Sequence, residues 1–151
     1  MQLDQTHRYY SLNDYCRETF GEKVYRLSLD GGFTCPNRDG TLDTKGCAFC
    51  SAGGSGDFAS DRRLSIALQL KEAQKRIQSK SNATRFIAYF QAFTGTYAPV
   101  LQLEQLYTEA MEPDSVAALS IATRPDCINP EVVSLIRQET CMCRISSSNH
   151  A

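Results

Sequence analysis

Arg85-Phe86-Ile87-Ala88-Tyr89-Phe90 is a nearly continuous apolar run. Such a run predicts a strand buried on both faces, the habit of a parallel sheet. Its flanks decide the architecture. Upstream, Ile66, Leu70, Ala73 and Ile77 recur at helical spacing, with Lys71, Lys75 and Arg76 opposite and Ser65 placed to cap the helix. Downstream, Pro99 stands at a helix start, before a stripe of Leu103, Leu106, Ala110 and Met111. Residues 116–122, Val-Ala-Ala-Leu-Ser-Ile-Ala, form a second apolar run and predict a further strand. Towards the N-terminus, residues 24–29 alternate Tyr25, Leu27 and Leu29 with Arg26 and Ser28, as in a half-buried strand at a sheet edge. Residues 11–20, closed by Gly21, read as a short helix with a glycine cap. Towards the C-terminus, Asn129, Pro130 and Glu131 supply a cap, a first-turn proline and a first-turn acid to a helix bearing Val132, Val133, Leu135 and Ile136. The order α-β-(long loop)-α-β-α-β-α predicts an α/β protein with a parallel sheet. Such a sheet wants another strand after residue 139. Thr140–Ile145 offers a short one, which would set Cys141 and Cys143 on one face. Three or four strands would leave a thin sheet with an open edge.

Size and charge narrow the class of function. A chain of 151 residues, 42% of them apolar and 22% charged, suits a single soluble globular domain. Its 16 basic and 17 acidic residues leave no bulk charge pointing to nucleic acid or an acidic membrane. The basic row Lys71, Lys75, Arg76 and Lys80 reads as the solvated face of its helix. No apolar run approaches the roughly 20 residues that span a bilayer. The first residues lack the basic-then-apolar layout of a secretory signal, so a cytoplasmic location is expected.

The chemistry concentrates in residues 30–60. This stretch has no periodic pattern and holds seven of the nine glycines, which marks a functional loop. Cys35, Cys47 and Cys50 fall within it, straight after a strand, where parallel α/β sheets place ligands. Two residues between Cys47 and Cys50 let both sulfurs face one group. Cys35 lies before them across an eleven-residue interval, and returns if the loop folds back with the help of Gly40 and Gly46. Seven cysteines in a reducing compartment favour metal binding or catalysis over disulfides. Three thiolates suit either a zinc site completed by a fourth ligand or an iron–sulfur cluster with one open iron. Cys16 reads as a small buried hydrophobe. His7 and His150 sit near the chain ends and read as unliganded.

Gly31-Gly32-Phe33-Thr34-Cys35-Pro36-Asn37-Arg38-Asp39-Gly40, Ala88-Tyr89-Phe90-Gln91-Ala92-Phe93-Thr94 and Thr123-Arg124-Pro125-Asp126 resemble the YhcC-type radical SAM proteins. That branch is similar to the catalytic subunit of elongator, a tRNA-modifying enzyme. The interval from Cys35 to Cys47 is longer than the commonest one of the superfamily. The resemblance covers roughly residues 8–139, and residues 140–151 form a tail unlike the family. It implies a single domain that is the N-terminal part of a partial parallel (β/α) barrel of the radical SAM type. Only the first three or four βα units would be present, in a chain truncated relative to a longer protein.

The resemblance also implies the ligands. Cys35, Cys47 and Cys50 would hold a [4Fe-4S] cluster, and S-adenosylmethionine would chelate its fourth iron. Phe49 would lie against the adenine, the strand end Tyr89, Phe90 and Gln91 against the methionine amino group, and Thr94 would assist. Thr123 and Arg124 would close the third strand at the ligand, Arg124 pairing with a carboxylate. An external electron donor is implied, and a substrate that by analogy is tRNA; no membrane is involved. Two other readings belong beside this one: a zinc-binding interaction module with Cys127 as fourth ligand, and a fragment that binds the cluster and leaves S-adenosylmethionine uncleaved.

Overall fold

The computed structural model describes residues 9–141. The chain order is α1 (Leu12–Phe20), β1 (Tyr25–Leu29), α2 (Ile66–Gln78), β2 (Phe86–Phe90), α3 (Val100–Met111), β3 (Val116–Ile121), a 3-10 turn (Pro125–Cys127) and α4 (Pro130–Cys141). The three strands make one sheet in the order β1-β2-β3, with both pairings parallel. The α/β class and the alternation of elements agree with the sequence pattern. Among the described residues no helix is long and apolar enough to cross a membrane.

Local signals set the helix ends. Ser11 and Asp14 form a reciprocal capping box on α1, and Gly21 closes that helix in the left-handed region at φ 78°. Ser65 accepts from Leu68 N–H at the start of α2, while Glu109 reaches across from α3 to take Ala67 N–H. Asn129 caps α4 through Val132 N–H. The predicted strand over 140–145 does not begin where expected. Helix α4 runs through Thr140 to Cys141, because no glycine or proline interrupts the chain after Pro130. Cys143, His7 and His150 lie outside the described residues.

The core sits on one face of the sheet. Leu27 and Leu29 of β1, Phe86, Ala88 and Phe90 of β2, and Val116 of β3 meet Leu70 and Ala73 of α2 and Leu103, Tyr107 and Ala110 of α3. Two buried polar side chains join this packing with their bonds made. Tyr107 donates its hydroxyl to the Gly95 carbonyl at 2.6 Å, and its ring lies 5.3 Å from that of Phe90. Gln69 accepts from Asp30 N–H and donates to the Asp30 and Leu64 carbonyls, which pins the start of the long loop to α2. Cys16 is buried, as its sequence context suggests.

Strand β2 is apolar on both sides, as its run predicts: on the second face Ile87 is buried and Tyr89 half-buried. That face is more polar at β1, which places Arg26 and Ser28 there. The Arg26 guanidinium lies 5.5 Å from the centre of the Tyr89 ring. Strand β3, at the opposite edge from β1, is buried only over Val116 and Ala117.

Candidate metal and cofactor site

Cys35, Cys47 and Cys50 line one cavity of about 300 Å³, outside the carboxyl ends of the strands. Tyr89, Gln91, Thr94, Thr123, Arg124 and Phe49 share its lining. Nine of the ten site residues singled out from sequence thus meet in one place. The tenth, Phe90, does not. Its side chain is fully buried in the core against Phe33 and Tyr107. Alternation along a strand puts residues 89 and 91 on one face and residue 90 on the other.

The loop brings the thiols together by folding back. The Cys35 carbonyl accepts from Arg38 and Asp39 N–H, and Asn37 O accepts from Gly46 N–H at 2.8 Å. Gly40 and Gly46 occupy the left-handed region, at φ 92° and 79°. Cys50 N–H closes a turn onto Cys47 O. Thr94 N–H bonds to Thr34 O and Phe93 N–H to Gly54 O, so the loop is stitched to the chain leaving β2. Gly54 lies so close to Phe93 that an added Cβ would come within 2.5 Å of the ring.

Arg38 is a member of the site that residue type and spacing leave unmarked. Its guanidinium donates to the Ser51 and Ala52 carbonyls and lies over the Phe93 ring. It therefore ties the Cys35 segment to the chain after Cys50. Two hydrogen-bond donors reach the sulfurs themselves: Asn37 Nδ2 lies 3.0 Å from Cys47 Sγ, and Ser55 Oγ 3.7 Å from Cys50 Sγ. Asn37 and Arg38 stand in the quoted motif, but their partners lie about a dozen residues on, where no local pattern reaches.

The remaining lining residues differ in how far they are committed. Thr94 is 1% exposed, and its hydroxyl has no hydrogen-bond partner among the described residues. Gln91 accepts from Ser28 through its side-chain oxygen, and the Thr123 hydroxyl bonds to Thr96. Arg124 grips Asp126 through Nε at 2.9 Å and Nη2 at 2.7 Å. This pairing pulls the Asp126 carboxyl below its usual range and leaves Nη1 unused by the pair. Phe49, 86% exposed, stands at the rim.

A second cavity, of about 670 Å³, is lined by Pro36, Thr96, Asp126 and Cys127 among others. Burial, and then the neighbouring Asp126 carboxylate, push the Cys127 thiol up. Among the described residues no three His, Cys, Asp or Glu side chains converge on one point as a single metal ion requires. A lone zinc holds its sulfurs about 2.3 Å away. A four-iron cluster takes one thiolate per corner and spreads them wider. The donor set here is three thiols lining one cavity, N–H and O–H donors on two of the sulfurs, and a buried hydroxyl without a partner among the described residues.

The chain is 48% identical over 131 residues to the uncharacterised protein YtqA of Bacillus subtilis, a match covering 87% of this chain and 41% of that protein. It is 42% identical over 117 residues to protein YhcC of Escherichia coli, covering 78% of this chain and 37% of that one. It is 31% identical over 127 residues to the uncharacterised protein MJ0486 of Methanocaldococcus jannaschii, covering 82% and 38%. The chain spans about two fifths of the length of these relatives. No family model and no solved structure matches it. Across most of its own length, the chain is thus similar to YtqA and the YhcC-type proteins.

Proposed function

We propose that this chain is the cluster- and S-adenosylmethionine-binding part of a radical SAM enzyme. The observation that carries the proposal is the meeting of Cys35, Cys47 and Cys50 with the ends of β2 and β3 in one cavity. Cys35, Cys47 and Cys50 would hold a [4Fe-4S] cluster beside bound S-adenosylmethionine. Together these groups would supply reductive cleavage of the sulfonium's carbon–sulfur bond, the electron coming from an external donor.

The chain's own residues bind and shield. The Thr94 hydroxyl, buried and without a partner among the described residues, supplies a polar contact to the ligand and is itself relieved of a desolvation cost of about 1–3 kcal/mol. Asp126 holds Arg124 so that the Nη1 edge is available to a carboxylate. Phe49 offers an aromatic face at the rim. Phe93, Ala122 and the bare backbone of Gly54 form the apolar wall that keeps water from a reactive carbon. By analogy with the elongator branch, the proposed substrate is RNA.

Anaerobic reconstitution tests this. The expected product is brown protein with about four irons and matching sulfide per chain. Alanine at Cys35, Cys47 or Cys50 should abolish iron uptake. Reduction with dithionite in the presence of S-adenosylmethionine should release 5′-deoxyadenosine. Colourless protein with one zinc, lost on Cys127→Ala, would replace this reading with the zinc module. Iron uptake without 5′-deoxyadenosine would leave a cluster-binding fragment.

A further inference from the structure

We infer that Asn37 is a positioning residue that sets the electron affinity of the group held by the three cysteines. The inference rests on the cluster reading above and goes beyond it. The contact is direct: Asn37 Nδ2 donates to Cys47 Sγ at 3.0 Å. The assignment of the amide is dictated by chemistry, because a ligating thiolate is an acceptor only and the amide oxygen would be repelled by it. The Asn37 backbone is anchored as well, through its carbonyl and Gly46 N–H, inside the turn that carries Cys35. One side chain therefore links the segment of the first thiol to the sulfur of the second.

The three sulfurs are unequally served. Cys47 has the short amide donor, Cys50 a hydroxyl at 3.7 Å, and Cys35 no side-chain donor among the described residues. A donor to a ligating sulfur stabilises the more negative, reduced state and raises the reduction potential. Cys47 is thus the sulfur through which the protein exerts most of this control, and Asn37 is the group that exerts it.

Asn37→Asp keeps the side-chain shape but puts an acceptor and a charge against the sulfur. Asn37→Ala removes the donor alone, and Ser55→Ala removes the longer contact. Each reconstituted protein is assayed for iron and titrated redox-potentiometrically with its electron paramagnetic resonance signal. The expected result is wild-type iron content with potentials shifted negative, most for Asn37→Asp, less for Asn37→Ala, least for Ser55→Ala. Loaded Asn37 variants that titrate at the wild-type potential would overturn the inference. So would a loss of iron from both Asn37 variants while the wild type loads, since the residue would then only build the loop. Wild-type protein that takes up no iron would remove the cluster reading and this inference with it.

Discussion

The core and the cysteine loop are held together by different forces. The core face of the sheet is fixed by burial: Leu27, Leu29, Ala88, Phe90, Leu103 and Tyr107 are all fully buried. The loop over residues 30–65 buries little. Cys35, Cys47 and Cys50 are half-buried, and the turns around them rest on backbone hydrogen bonds, left-handed glycines and the Arg38 clamp. Apolar burial is non-directional and resists single changes only as far as volume allows. A hydrogen-bonded loop depends on geometry and tolerates surface change. The site can therefore be dismantled without unfolding the domain, whereas the core cannot be cut without losing both.

The largest effect separates the two. Phe90→Ala should cost about 3–5 kcal/mol in urea unfolding, because its ring fills the space between Phe33 and Tyr107. It should leave iron uptake intact in whatever fraction stays folded, since the side chain is turned away from the cavity. Next comes Tyr107→Phe. It leaves the buried Gly95 carbonyl without its donor and should cost about 1–3 kcal/mol.

Tyr107 also gives a pH signature. Burial raises its pKa above the ordinary value of 10.0, so the folded state favours the protonated phenol. Its contribution is complete below pH 10.0 and is lost as pH rises above that value. Unfolding followed across this range should show the wild type losing stability more steeply than Tyr107→Phe. Equal slopes would mean that another group governs alkaline unfolding.

Arg38→Ala probes the other side of the comparison. It should change global stability by less than about 1 kcal/mol, being a partly exposed loop residue, yet lower iron uptake sharply. An unfolding cost equal to that of Phe90→Ala would break the distinction between core and loop. Asn129→Ala should cost about 1 kcal/mol for a lost helix cap and leave iron uptake at the wild-type level.

Much of the fold is legible residue by residue. The predicted strands at 24–29, 85–90 and 116–122 lie within one residue of Tyr25–Leu29, Phe86–Phe90 and Val116–Ile121. Their alternation and apolar runs are local properties, as are the caps Ser65 and Asn129. The cysteine trio was equally visible, because Cys-x-x-Cys spacing and clustered glycines stand out in one dimension. The assignment of Phe90 to the ligand set illustrates the opposite case. Proximity along the chain suggested it, and the two-residue period of the strand argued against it.

Backbone preference and side-chain period act over a few residues, so they suffice for the elements, their order and the thiols on one loop. They carry nothing about which distant groups meet. That Gln69 holds Asp30, that Arg38 reaches Ser51 and Ala52, that Asn37 faces Cys47, and that β2 and β3 deliver Thr94 and Arg124 to the same cavity follow from chain packing. Each of these contacts is decided by the close fit of the packed sheet and its helices, which admits one arrangement of the loop where the isolated segment has many.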